Sequence, residues 1–289
     1  MATTDSKGLN GRRLDARVVA ATLLRWVRDP LAWLIVFFAL VIVLAPVLAT
    51  HDPVQPNVAN RLQPPSGEYL FGTDRNGMDV FSRVIYATRV NFAASVSSVA
   101  LAVVIGLPIG LLAGYIGGLL DDLANRFVEI MTALPQFLFA LAALAVVGPS
   151  VRNMVIVIGL LNVSGYLKLA RTIIVGSRNS DYVLAARCAG LSDLKIMRRH
   201  LLPNIIGPFF GLFAVTSAYA IQIIAGLSFL GLGVTVPQPE WGSMINIGAP
   251  YMVRGQWWMA TFPGLAIFFA VLMLRMITER FRRHFSLEQ

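Results

Sequence analysis

Three histidines, His51, His200 and His284, and a single cysteine, Cys188, are the residues here with the widest chemical reach, yet their spacing supports no reaction. No Cys/His cluster has zinc-ligand spacing, no H-E-x-x-H helix occurs, and no Ser-His-Asp set can be assembled. A G-x-x-x-x-G-K-[ST] phosphate loop is missing as well. One cysteine cannot form an intramolecular disulfide. The chain is therefore read as no enzyme, with no metal or cofactor of its own. The chemistry it does carry is that of a docking surface: a polar, basic segment from Tyr182 to Asn204 within an otherwise apolar sequence.

Asn179, Ser180 and Asp181 can cap a helix starting at Tyr182, because their side chains accept from backbone N–H groups that lack partners in a first turn. Gly190 ends that helix, since glycine takes positive φ without a Cβ penalty. A second short helix is predicted from Ser192 or Asp193 to Leu202, stopped by Pro203. On it Leu194, Met197 and Leu201 share one face, with Lys195, Arg198 and Arg199 around the other. Two readings fit this pattern: an apolar face with a basic rim for a partner's groove, or an amphipathic helix on anionic lipid, worth about 1 kcal/mol per basic residue.

The elements that position this elbow follow from composition. Of 289 residues, 56% are hydrophobic and 13% charged, with mean hydropathy +0.69, whereas soluble domains carry about 25% charged residues. The class is an all-α polytopic membrane protein. Six spans are predicted, at 31–49, 92–115, 131–148, 152–170, 205–226 and 258–278. The first fills a whole bilayer crossing and is followed by others, so an uncleaved helix is expected rather than a signal peptide. Residues 50–91 read as an external loop followed by an interfacial helix, 92–280 as the main transmembrane unit with the loop 171–204, and 281–289 as a tail. Eighteen of the 24 basic residues fall on the side of residues 1–30 and of the loop, and six on the other. That asymmetry places both termini in the cytoplasm and explains the formal charge of +9 by topology, with no nucleic acid involved.

The elbow carries a resemblance. Leu184-Ala185-Ala186, Arg187, Gly190-Leu191, His200 and Leu202-Pro203 are similar to the EAA loop by which permease subunits of bacterial ABC importers engage their ATPases. Phe71-Gly72-Thr73-Asp74-Arg75-Asn76-Gly77, Leu227-Ser228-Phe229-Leu230-Gly231-Leu232-Gly233, Pro239-Glu240-Trp241-Gly242-Ser243 and Phe262-Pro263-Gly264 extend it to the C-type member of the dipeptide/oligopeptide/nickel permease family. Leu184 replaces the usual Glu, Ile224 stands where many relatives carry Glu, and Arg275 with Thr278-Glu279 replaces a frequent Asn and Gly-Asp. The resemblance implies a type I importer permease fold with a cytoplasmic coupling helix in a bacterial inner membrane. It also implies a second permease subunit, two cytoplasmic ATPases holding ATP and Mg, and an external or periplasmic binding protein. Substrates in such a family range over peptides, nickel, glutathione, opines and haem.

Within the spans, Gly106, Gly110 and Gly114 recur every four residues and permit close helix approach, either within the chain or to a second permease. Asn162 and Gln222 need protein or water around them. With Ser217 and Ser228, Gln222 is a candidate for the substrate path. Lys168 and Arg171 share one helical face and are expected to snorkel to the interface. The acids Asp121, Asp122 and Glu129 sit near span ends, unlike the buried acid of a proton-coupled carrier.

Overall fold

The computed structural model describes residues 30–234 and 236–286. The basic residues before Pro30 and the last three residues of the expected tail lie outside the described residues. In hydrocarbon a backbone must satisfy its own N–H and C=O groups, and the chain does so with helices. These are α1 (Pro30–Leu48), α2 (Val80–Ile116), α3 (Gly118–Ala133), α4 (Gln136–Val147), α5 (Val151–Ser177), α6 (Asp181–Cys188), α7 (Asp193–Ile196), α8 (Leu202–Phe229), α9 (Trp241–Met252) and α10 (Trp258–Ser286). Among the described residues the only β feature is an isolated bridge between Thr73 and Asp79.

Among the described residues five helical stretches are long and apolar enough to cross a membrane, and α3 with α4 makes a sixth crossing when that bent pair is counted as one span. Packing supports that count. A Cβ added at Gly106 would meet Val163 and Tyr166, one at Gly110 would meet Leu167 and Ala170, and one at Gly114 would meet Arg171 and Ile174. Contact positions rise together along α2 and α5, so the two helices run parallel and the chain between them must return across the bilayer. The glycine stripe is thus spent inside the chain, bringing two backbones into van der Waals contact.

Four sequence expectations are corrected. The span expected at 131–148 is interrupted: Leu134, pushed to φ −92 and ψ 133 ahead of Pro135, separates α3 from α4, and the two meet at 88°. The interfacial helix expected before span two does not exist separately, because α2 runs unbroken for 37 residues from Val80. Polar residues there mark no boundary, since Thr88 Oγ1 and Asn91 Nδ2 donate to the carbonyls of Val84 and Ala87 one turn back. Pro203 does not stop the second loop helix. A widened π turn, Met197–Leu201, joins α7 to α8, the Leu202 N–H reaches Met197 O, and Pro203 falls in the first turn of α8, where its missing N–H costs little. Finally, the Pro239–Ser243 motif opens a helix, α9, that is absent from the six expected spans. Glu240 caps it by accepting from the N–H groups of Gly242 (2.9 Å) and Ser243 (2.7 Å), and Trp241, wholly buried, donates to Val84 O.

One end of the bundle, the cap end, is closed by residues 50–79 with 230–234 and 236–257; the elbow occupies the opposite end. Arg83, 1% exposed, organises the cap. Its Nη1 donates to Pro53 O (2.7 Å) and to Pro237 O (2.9 Å), joining segments far apart in sequence, and its Nε lies 3.7 Å from Asp74 Oδ2. Burial pushes the Asp74 carboxyl above the usual carboxylate range despite that guanidinium, and burial does the same to Glu240 despite its backbone donors.

Candidate functional site

Ser180 is the N-cap residue of α6, but its side chain makes no capping bond; the hydroxyl instead donates to Ser177 O (2.7 Å), tying the loop to the end of α5. Gly190 adopts φ +77. Its N–H donates to Arg187 O (2.9 Å) and the Leu191 N–H donates to Ala186 O (3.1 Å), the paired bonds of a Schellman turn. The elbow expected from glycine is present as a defined hydrogen-bonded geometry between α6 and α7.

The exposed face differs from expectation. Met197 (6%) and Leu201 (0%) point into the bundle with Val183, Ala186 and Ile196, whereas Leu194 (71%), Leu184 (44%) and Tyr182 (42%) face outward. Periodicity aligns Leu194, Met197 and Leu201, but the bundle claims the last two. Ala185, Arg187, Lys195, Arg198, Arg199 and Pro203 are exposed, while Leu191, His200 and Leu202 are half-buried. The outer surface is therefore two isolated leucines and a tyrosine within a basic rim.

Residues that sequence reasoning passes over anchor this loop to the spans. Tyr115, at the end of α2, donates its hydroxyl to Asp193 Oδ1 (2.5 Å), and the Arg187 guanidinium lies 5.3 Å over the same ring. Both arms of the elbow thus meet on one tyrosine. Arg178 Nη1 donates to Gly114 O (3.0 Å), and Asn204 Nδ2 donates to Tyr182 Oη (3.0 Å). A tyrosine at a span end is the available signal, since such residues favour the interface. Arg171 does not snorkel with Lys168. Its fork is bidentate to Asp121 on α3, with Nη2 2.7 Å from Oδ2, and Lys168 alone stays exposed.

Of the three candidates for a path, Ser217 and Ser228 are each 2% exposed and buried within the chain. Gln222 is exposed on α8. Asn162 Nδ2 donates to Ile158 O (2.8 Å), so its amide is satisfied on its own helix. No group of three or more metal-ligating side chains occurs among the described residues.

Residues 106–287 match the family described as the binding-protein-dependent transport system inner membrane component. The chain is 36% identical over 249 residues to a dipeptide transport system permease protein of Alkalihalophilus pseudofirmus, covering 86% of this chain and 82% of that one. It is 37% identical to a di/tripeptide transport system permease protein of Pseudomonas aeruginosa, covering 86% and 83%. It is also 37% identical to a probable D,D-dipeptide transport system permease protein of Escherichia coli, covering 82% and 79%. Among solved structures, the inward-facing MetNI methionine ABC transporter superposes with a TM-score of 0.53 at 17% identity, over 69% of this chain and 95% of that one, which concerns fold alone. A multi-pass helical chain, matched over most of its length by permeases, belongs to the family of binding-protein-dependent transport system inner membrane components.

Proposed function

We propose that the chain is one permease subunit of an ATP-driven ABC importer for dipeptides or oligopeptides, forming half of the translocation path. The observation that carries this is the elbow: an exposed, hydrogen-bonded turn whose two arms are both fastened to the end of α2. The peptide class rests on the names of relatives. A second permease supplies the other half of the path. Two ATPases bind ATP and Mg against the elbow from the cytoplasm, and a binding protein delivers substrate at the cap end. Closure of the ATPases presses on the turn at Gly190, and Tyr115 transmits the displacement to α2 and its partner α5 as a rigid-body switch between inward and outward access. Reconstitution tests the whole assignment. The complete assembly in vesicles should accumulate dipeptide with ATP, while this chain alone should hydrolyse none; steady ATP turnover by the isolated chain contradicts the reading.

The basic asymmetry orients the protein with the elbow and both termini in the cytoplasm. In a Cys188→Ser background, single cysteines at Val58 (62% exposed) and at the exposed Gln238 should react with a membrane-impermeant thiol reagent added outside intact cells, and one at Asn179 should not. The reverse pattern inverts the topology and removes the elbow from the ATPases.

Docking on the elbow predicts a second outcome. Leu194→Asp places a charge where apolar contact is needed, and loss of such an anchor costs about 2 kcal/mol or more, so ATPase retention on copurification should weaken by about thirtyfold. Leu184→Asp should act in the same direction. Met197→Ala, changed inside the bundle, should lower stability instead. Full retention by Leu194→Asp rules this face out.

A further inference from the structure

Arg275 is a charged residue inside the membrane-crossing part of α10, and it is exposed on the surface of the chain. Its guanidinium lies 4.8 Å from the ring centroid of Tyr219 on α8, itself 47% exposed, and no carboxylate of the described residues comes within 4.0 Å of it. Gln222 is exposed one turn further along the same face of α8. Phe268, 57% exposed, lies two turns from Arg275 on α10 and shares its face.

Snorkelling to the cytoplasmic headgroups does not account for this arrangement. Helical side chains lean toward the helix N-terminus, which for α10 is the cap end, so Arg275 is directed away from the nearer surface. A guanidinium within a membrane-crossing stretch faces lipid tails only at heavy cost, so the strip that carries it is expected to face water or protein. Stacking on tyrosine leaves its fork of N–H donors free for a planar anion.

We propose that Arg275, seated on Tyr219 with Gln222 beside it, is a station on the translocation path that takes the carboxylate of a passing peptide. The guanidinium pairs with the carboxylate, and the Gln222 amide offers both a donor and an acceptor to a peptide group. Phe268 supplies apolar surface for a side chain. The proposal rests on the peptide reading of the transported substrate.

The test is uptake by the complete transporter, with its binding protein, in vesicles, using Ala-Ala and its C-terminal amide as probes. The binding protein is common to wild type and variant, so its own preference cancels in the comparison. Losing a charge-assisted pair should lower the ratio of acid to amide uptake by at least about tenfold in Arg275→Gln, and Arg275→Lys should restore part of it. An Arg275→Gln variant whose ratio equals wild type, whether both peptides slow together or neither does, overturns the site while leaving the peptide reading intact. A wild-type assembly that moves neither peptide overturns the peptide reading itself.

Discussion

Gly110→Val should leave little folded protein after extraction, while Gly165→Ala on the neighbouring helix should unfold at the wild-type midpoint or above it. A Cβ at Gly110 would lie 2.4 Å from Leu167 O and 2.8 Å from Ala170 Cβ, so α2 and α5 must separate before any side chain fits. Overpacking of this kind costs about 1–3 kcal/mol for added methylenes, and here one of the opposing atoms is backbone, which cannot rotate away. Separation would also loosen Gly106 and Gly114, which meet the same helix. At Gly165 a Cβ would have no neighbouring atom within 4 Å, so alanine there meets nothing and gains about 1 kcal/mol of helix propensity. Gly110→Ala should fall between, with a lowered midpoint. Thermal or denaturant unfolding of the purified subunit reads the series. Equal midpoints for Gly110→Val and wild type would mean that the stripe packs elsewhere, for instance against a second permease.

The same stripe shows what was legible in the sequence. Glycine every fourth residue announces close approach, but not the partner, because spacing defines a face and not what lies opposite it. The elbow was legible for a similar reason: Gly190 is the only residue between two helical patterns able to take positive φ cheaply, and it does. The direction of the second helix was not. A face of Leu194, Met197 and Leu201 can turn toward a partner or toward the chain's own bundle, and Met197 and Leu201 are buried in the core they share with Val183, Ala186, Ile196 and Ile205. Proline was ambiguous twice. Pro135 interrupts a run of apolar residues, whereas Pro203 sits in a first turn and interrupts nothing. The Arg83 bond to Pro237 joins positions 154 residues apart, and no local pattern encodes such a pair.

Gly190→Val should uncouple the transporter with its bundle intact. Nothing lies within 4 Å of a Cβ built at Gly190, so no clash arises, and the whole penalty comes from the backbone at φ +77. Left-handed backbone costs an ordinary residue about 1–2 kcal/mol, and a β-branched one more. The loop relieves that strain by leaving the Schellman turn, which frees the Leu191 N–H from Ala186 O and changes the angle between α6 and α7. Because Arg187 and Asp193 on the two arms both hold Tyr115, a changed angle alters how ATPase movement reaches α2. Peptide uptake and substrate-stimulated ATP hydrolysis should therefore fall together, by about tenfold or more for that energy, while the unfolding midpoint of the subunit stays near wild type. Gly190→Asn should retain more of both activities, since asparagine tolerates left-handed backbone better than valine. A surface helix that merely rests on anionic lipid predicts the opposite: charge removal at Lys195, Arg198 and Arg199 would matter and the turn would not. Wild-type coupled transport by Gly190→Val would decide for that alternative and end the role of the elbow.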